Sequence, residues 1–434
     1  MRIAVIGSGI SGNVCARLLA CKHEVHLFEA NDYLGGHTNT VRTEAFGRDL
    51  RIDTGFMVFN HRTYPNFTRL LRLLGIEERD SDMSFSVRCD RTGLEYQGSS
   101  LNGLFAQRSN LVRPAFYRML RDILRFNRES LELLKEDDDR LTLGEYLERE
   151  RYGREFVEHY LVPMGAAIWS ARPSKFYEFP ARFLVGFLHN HGLLQLRDRP
   201  VWKTIPGGAK RYVDALLKPL QDRIRLSVPV QKVTPTEEHV SVQPGHGPAE
   251  TFDHVVLATH ADQTLRLLAN PTAAEREILG AFPYQQNECV LHTDASLLPR
   301  RRRAWASWNY GIPREEGQPV TLTYDVNRLQ GLGTPGPVCV TLNNAQKIGR
   351  QHMLQQIQYE HPVFTPGAVA AQRRHDEING ARRVYFCGAY WGYGFHEDGV
   401  NSALAVCRHF GIGLEHLAEG PAESSQTTKT SRTG

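Results

Sequence analysis

The sequence predicts an α/β fold in which a doubly wound parallel sheet is interrupted by an inserted, mixed α+β domain. Three observations carry this. A strand, a glycine loop, a helix and a second strand succeed one another within residues 1–29; buried-strand runs return at His254–Ala258 and Val384–Cys387; and the stretches between them read first as helical, then as mixed. At 434 residues the chain has room for two or three cores, taking ~150 residues per domain.

Ile3-Ala4-Val5-Ile6 is a continuous apolar run, the pattern of a strand buried on both faces of a parallel sheet, and it leads straight into Gly7-Ser8-Gly9-Ile10-Ser11-Gly12. Ile10, Val14, Leu18 and Leu19 then mark a helix that ends near Lys22-His23, and Val25–Phe28 is the next strand, closing at Glu29. Thr63-Tyr64-Pro65 opens another helix, with the proline in its first turn and Gly75 as its stop. Residues 111–160 read as mostly helical: Phe116, Leu120, Ile123, Leu124, Leu131 and Leu134 form a stripe. The acidic run Glu136–Asp139 reads as a solvated turn, and Thr142 with Glu145 forms a capping-box signal. After the turn Ile205-Pro206-Gly207-Gly208, a helix is expected around Tyr212–Leu217, stopped by Pro219. Short strands follow at Val228–Val233, Val240–Val242 and His254–Ala258. Val384–Gly388 reads as a last buried strand, 388–399 as a glycine-rich turn, and a final helix is expected from about Val400. The tail 420–434, almost without apolar residues, reads as disordered.

Composition narrows the function classes. With 52 Lys plus Arg against 48 Asp plus Glu, a net charge of +4 provides no general drive toward nucleic acid or acidic membranes. Seven cysteines without a CxxC pair argue against a disulfide framework and a thiolate zinc site, and fit a reducing, cytoplasmic setting. No run reaches the roughly 18 apolar residues of a spanning helix, and the amino-terminal apolar run is too short and glycine-broken for a secretion signal. His189 and His191 show no third metal ligand at a suitable spacing, so no metal is expected. Arg300–Arg303, followed by Trp305, Trp308 and Tyr310, reads first as a solvated basic face and second as a peripheral membrane contact; nucleic acid is set aside.

Gly7, Gly9 and Gly12 form GxGxxG between a strand and a helix, where the backbone can approach a pyrophosphate and the helix N-terminus favours its charge. Glu29, about 20 residues on, stands where a carboxylate accepts hydrogen bonds from a ribose diol. A carboxylate there disfavours a ribose 2′-phosphate, which leaves FAD or NAD rather than NADP.

From Glu29 through Ala30, Asn31, Asp32, Tyr33, Leu34, Gly35, Gly36 and His37 to Thr38, the chain resembles the flavin-containing amine oxidoreductase superfamily, which includes amine oxidases, protoporphyrinogen oxidase and phytoene-type desaturases. In that family the segment wraps the ribose and pyrophosphate of FAD, so the resemblance implies FAD. His254–His260 is similar to its second strand motif, Val228–Val233 to the strand whose backbone meets the adenine, and Gly388–Ala403 to its carboxy-terminal flavin motif. The resemblance thus adds Ser11, Gly35, Gly36, His37, Thr38, Val230, Gly388, Gly399 and Val400 to the cofactor residues Gly7, Gly9, Gly12 and Glu29. It is closest to a bacterial subset known simply as NAD/FAD-binding proteins, typically found with fatty-acid-modifying methyltransferases of the cyclopropane synthase type. The implied organisation is a discontinuous Rossmann-like FAD domain from 1–85, 205–262 and 375–419, with a substrate domain from 86–204 and 263–374.

Two departures shape the expected chemistry. Amine oxidases of the family commonly carry a lysine beside the flavin, yet residues 281–292 contain none; and 390–396 contain no cysteine that would tether flavin. Non-covalent FAD is therefore expected, with hydride passing from a substrate C–H to flavin N5 and on to oxygen or another acceptor. A dehydrogenase or desaturase of a small hydrophobic substrate, a modified fatty acyl chain, is the preferred reading. A flavin amine oxidase is the alternative, and a non-catalytic lipid or protein carrier similar to the Rab GDP-dissociation inhibitors is the third. Tyr390, Trp391, Tyr393 and His396 are the catalytic candidates, as aromatic walls and a proton mover, with Asp53–Phe59 a further aromatic segment near the flavin. Glu397 and Asp398 are as well suited to capping the last helix as to acting as a base. The protein is expected in the cytoplasm, with membrane association kept open.

Overall fold

The computed structural model describes residues 1–135, 138–169, 173–315 and 320–418. The tail expected to be disordered lies outside them, as do Glu136 and Asp137 of the acidic run. Five strands form an all-parallel sheet in the order Ile224–Arg225, Glu24–Phe28, Arg2–Ile6, His254–Leu257 and Val384–Phe386. The unbroken apolar runs follow from burial on both faces. Ile3, Val5, Val25, Leu27 and Val256 pack on one side with the helices Ile10–Leu19, Lys210–Leu217 and His396–Arg408. Ala4, Ile6, Phe28, Val255, Leu257 and Phe386 pack on the other with an antiparallel sheet of Val230–Pro235, Val240–Pro244 and Glu250–Phe252.

A second, seven-stranded sheet runs in the order Met353–Pro362, Tyr284–His292, Cys339–Leu342, Thr321–Asp325, Trp308–Ile312, Phe85–Cys89 and Leu94–Gln97, with only the Trp308–Ile312 and Phe85–Cys89 pair parallel. Helices of residues 114–190 accompany it and bury an aromatic core that includes Phe126, Phe156, Trp169, Phe176, Phe179, Phe187 and Phe364. The chain is thus α/β with a mixed second layer, the predicted class.

Local signals placed several elements well. Pro65 opens the helix Pro65–Leu73, and Gly75 follows it at φ +64°. Thr142 and Glu145 form the full reciprocal cap. The helix expected to stop before Pro219 does so: it spans Lys210–Leu217, and Pro219 sits in the first turn of the 3₁₀ segment Lys218–Arg223 that follows, where a missing N–H costs little. Two expectations are corrected. The last helix begins at His396, four residues before Val400, because the Asp398 carboxylate accepts the Phe395 N–H at 2.9 Å and caps it there. Asp139 is no solvated residue, since it pairs with Arg182 at 3.2 Å and with Arg373, tying two distant helices together.

The tightest joint in the parallel sheet is at Gly12, where a Cβ would lie 1.9 Å from the Gly7 carbonyl oxygen. Gly12→Ala must push the first helix off the first strand. The expected result is a loss of about 1–3 kcal/mol, read as a fall in Tm of the protein without added cofactor.

Candidate functional site

The three loop glycines answer to three different constraints. Gly7 has φ +101°, and a Cβ there would sit 2.8 Å from the Ala258 carbonyl oxygen of the neighbouring strand end. Gly12 allows the helix to reach the strand. Gly9 is unlike both: a Cβ built on it meets no atom within 4 Å. The open ground of the loop is therefore above Gly9, at the N-terminus of the helix Ile10–Leu19, where an anion is favoured.

Other sequence-predicted residues converge on this point. A Cβ on Gly36 (φ +57°) would approach the Gly9 Cα to 3.2 Å, so the glycine pair closes over the loop, and the Gly35 N–H donates to the Ser8 carbonyl at 3.0 Å. Gly399 lets the start of the last helix lie on the first: a Cβ there would be 2.6 Å from Ile10 Cγ2 and 3.0 Å from Ser11 Oγ. Val400 is buried in the same core, and Gly388 is fastened to the last helix by its N–H donating to Ser402 Oγ at 3.0 Å. Two helix N-termini thus meet at one loop. Two buried polar groups of the loop region have no hydrogen-bond partner among the described residues, the Asn13 amide and His37 Nε2. An open glycine cradle, paired helix N-termini and unspent polar groups fit a dinucleotide's pyrophosphate.

Glu29 is buried beside the loop. Its Oε2 accepts from the Ser8 N–H and hydroxyl at 2.8 and 2.6 Å, and its Oε1 accepts from the Asn31 main-chain and side-chain N–H groups, both at 2.9 Å. All four acceptor positions are occupied, so the carboxylate is fixed in place, and a ribose diol would have to exchange with one of these donors to reach it. The segment before Val230 runs alongside, since the Val228 N–H donates to the Glu29 carbonyl at 2.9 Å.

The four candidate catalytic side chains do not form one wall. Tyr390 and Trp391 turn into the core on the sheet face opposite the first helix, against Phe282 with ring centroids at 5.0 and 5.4 Å, and Trp391 also packs on His375 at 4.2 Å. Tyr393 joins Phe183 and Phe187 at 4.8 and 5.5 Å, in the aromatic core of the second layer. His396 lies inward, its ring stacked on Phe56 and its Nε2 2.9 Å from Thr38 Oγ1 and 3.1 Å from Tyr212 Oη. Burial pushes the His396 pKa down to about 3, so the ring is a neutral hydrogen-bonding hub joining the glycine-pair segment to two helices. The turn 388–395 breaks the alternation that would have kept its aromatic residues on one side.

Glu397 also departs from expectation. Its two oxygens accept the Asn66 and Phe67 N–H groups at 3.0 and 2.9 Å, so it caps the helix Pro65–Leu73 and not its own. Asp53 does similar work: it accepts from Thr40 Oγ1 at 2.5 Å, from the Ala209 N–H at 2.9 Å and from Gln330 Nε2 at 3.2 Å. Burial raises its pKa to about 7 against those hydrogen bonds.

One cluster had no sequence signal. His37, His260 and His361 come from three distant segments and meet between the two layers, with Tyr359 stacked on His37 at 4.9 Å and Tyr284 on His260 at 4.5 Å. Strand pairing of Tyr284–His292 with Met353–Pro362 places His361 opposite Gln285, and its Nδ1 lies 2.7 Å from Asn287 Nδ2. A cavity of about 970 Å³ opens on another side of the last helix, with Arg62, His189, Arg197, Tyr393, Phe395 and Glu397 in its lining.

Burial lowers the pKa of all three histidines; neighbouring imidazoles add to this at His37 and His361, and His361 falls to about 4. A lowered native pKa means that acid protonates the unfolded chain first, so stability present above pH ~6.5 is lost as pH falls toward 4. Between pH 7 and 5, His361→Gln is expected to remove about 2 kcal/mol of that loss, read from denaturant unfolding at both pH values. An unchanged pH dependence would mean that His361 is not held neutral.

A family model described as flavin containing amine oxidoreductase matches residues 10–291, more than half of the chain. Among curated proteins none matches. Solved structures share the fold: cyclohexylamine oxidase from Brevibacterium oxydans IH-35A has a TM-score of 0.68 at 16% identity, covering 94% of this chain and 99% of that one. A CLA-producing fatty acid isomerase from P. acnes has a TM-score of 0.67 at 14% identity, covering 94% and 98%. Putrescine oxidase bound to putrescine has a TM-score of 0.67 at 15% identity, covering 94% and 99%. At these identities the likeness is one of fold, which many chemistries share. The chain belongs to the flavin-containing amine oxidoreductase family, and it is a flavin-dependent oxidoreductase.

Proposed function

We propose that the protein holds FAD without a covalent bond and removes hydride from a C–H bond of a hydrophobic substrate, a modified fatty acyl chain, as a dehydrogenase or desaturase. The observation that carries this is the composition of the strand Tyr284–His292. It runs past the Asp53–Phe56 turn, with the Cys289 thiol donating to the Thr54 carbonyl at 3.7 Å, and presents Asn287 and Cys289 but no lysine. The family's amine oxidases commonly keep a lysine in this region. The turn 390–396 has no cysteine to tether a flavin.

FAD supplies the two-electron acceptor. The chain supplies binding and placement: the Gly9 cradle and both helix N-termini for the pyrophosphate, Glu29 for the ribose, and Thr38, Tyr212 and His396 to lock the joint between them. The cavity beside Tyr393 and Phe395 combines aromatic walls with Arg62, Arg197, Asp198, Glu397 and Asp398; Glu397 and Asp398 are engaged by main-chain N–H groups, and the two arginines suit the carboxylate end of an apolar chain. Trp169 and Phe187 pack behind Phe395 and keep water from that side, with Phe187 stacked on Phe395 at 4.9 Å and tilted against Trp169 at 4.6 Å. The fold neighbours that oxidise amines favour a second reading, oxidation of an amine without the lysine.

Anaerobic mixing of the purified protein with unsaturated and hydroxylated fatty acyl compounds, and separately with simple amines, decides between them. Bleaching of the flavin bands by an acyl compound is expected. Bleaching by amines alone, with hydrogen peroxide released in air, would overturn the preference. Gly9→Val fills the open ground without touching the packed core, so it is expected to leave Tm of the flavin-free protein nearly unchanged and to abolish flavin binding. Unchanged flavin occupancy in that variant would refute the loop assignment.

A further inference from the structure

Residues 101–121 contain Arg108, Arg113, Arg118 and Arg121 and no acidic residue. Four of their large side chains stand in solvent while Phe116 and Met119 are buried: Leu101 is 77% exposed, Val112 81%, Leu111 49% and Tyr117 46%. These residues form one patch. The Arg108 guanidinium donates to the Phe105 carbonyl and to Asn102 Oδ1, joining the short helix Leu101–Leu104 to the turn Arg108–Val112, and the Tyr117 hydroxyl donates to the Leu111 carbonyl.

Arg300–Arg303 belong to the same surface. Buried Glu95 fastens them there: its carboxylate accepts the Arg300 and Arg301 N–H groups at 3.0 and 3.3 Å and the Arg301 guanidinium at 2.9 Å. Its own main chain is bonded to Gln107 and Asn110. The turn Arg302–Ala304 packs against the helix Leu101–Leu104. Of the eight arginines, Arg118, Arg121, Arg300 and Arg301 pair with Glu155, Asp122, Asp90 and Glu95. The other four form no ion pair among the described residues. The aromatic residues beside the arginines turn inward, since Tyr310 is buried and the Trp305 indole N–H donates to the Pro299 carbonyl.

We propose that this surface docks the protein on an anionic lipid bilayer. Exposed aliphatic side chains gain by entering the acyl boundary, and the surrounding arginines are drawn to negative headgroups; each alone binds weakly, and together they anchor. A single strand of nucleic acid would call for a row of stacked aromatic faces, where this patch offers Leu and Val with Tyr117 as its one exposed ring. A second copy of the chain is disfavoured by charge, because a two-fold contact would set these arginines against their own copies. The proposal does not depend on which substrate the enzyme oxidises.

Co-sedimentation of the flavin-loaded protein with phosphatidylcholine vesicles, with and without about 30% phosphatidylglycerol, tests it. Binding at least about tenfold tighter to the anionic vesicles, weakened by salt, is expected. Leu101→Ser with Val112→Ser is expected to weaken that binding about tenfold while leaving the visible spectrum and Tm unchanged, since both side chains already stand in water. Equal or absent binding to the two vesicle types would overturn the proposal. So would unchanged vesicle affinity in the double variant, a dimer in solution that Val112→Ser dissolves, or a preference for single-stranded nucleic acid over anionic vesicles.

Discussion

A helix can lie across the end of the first strand only because Gly12 has no side chain. Its Cβ position is 1.9 Å from the Gly7 carbonyl oxygen, and any other residue there moves the helix away. With the helix seated, its N-terminus points at the open ground above Gly9. Gly399 repeats the device, allowing the last helix to rest on Ile10 and Ser11, and Gly36 abuts the Gly9 backbone while leaving its Cβ side open. The glycine cradle is a junction of three backbones that side chains would have kept apart.

That junction was legible because each of its requirements leaves a local mark. Glycines at fixed offsets, an apolar run before them and an acid at the end of the next strand all lie within residues 3–29. Helix starts were legible for a similar reason, since Pro65 and the Thr142–Glu145 box act on their own first turns. The beginning of the last helix was misjudged because His396 and Gly399 are poor helix formers in isolation; Asp398 supplies the cap and packing pays the remainder.

Side-chain direction was the least legible feature. Tyr390, Trp391, Tyr393 and His396 are neighbours in sequence, yet the turn sends them into three different cores. The histidine cluster shows the converse: His37, His260 and His361 are brought together by strand pairing across the chain, and no spacing announces it. Glu397 capping a helix more than 300 residues away is likewise a tertiary event. Motifs that act through the backbone are readable in sequence, whereas roles that depend on what lies opposite a side chain are not.

FAD held in this cradle by non-covalent contacts alone is the central proposal. Acid precipitation of the purified yellow protein, with the spectrum and mass of the flavin in the supernatant, tests that most directly. One FAD per chain, all of it released, is expected. Flavin retained in the pellet would contradict non-covalent attachment, and a colourless protein that takes up no added FAD would contradict the cradle itself.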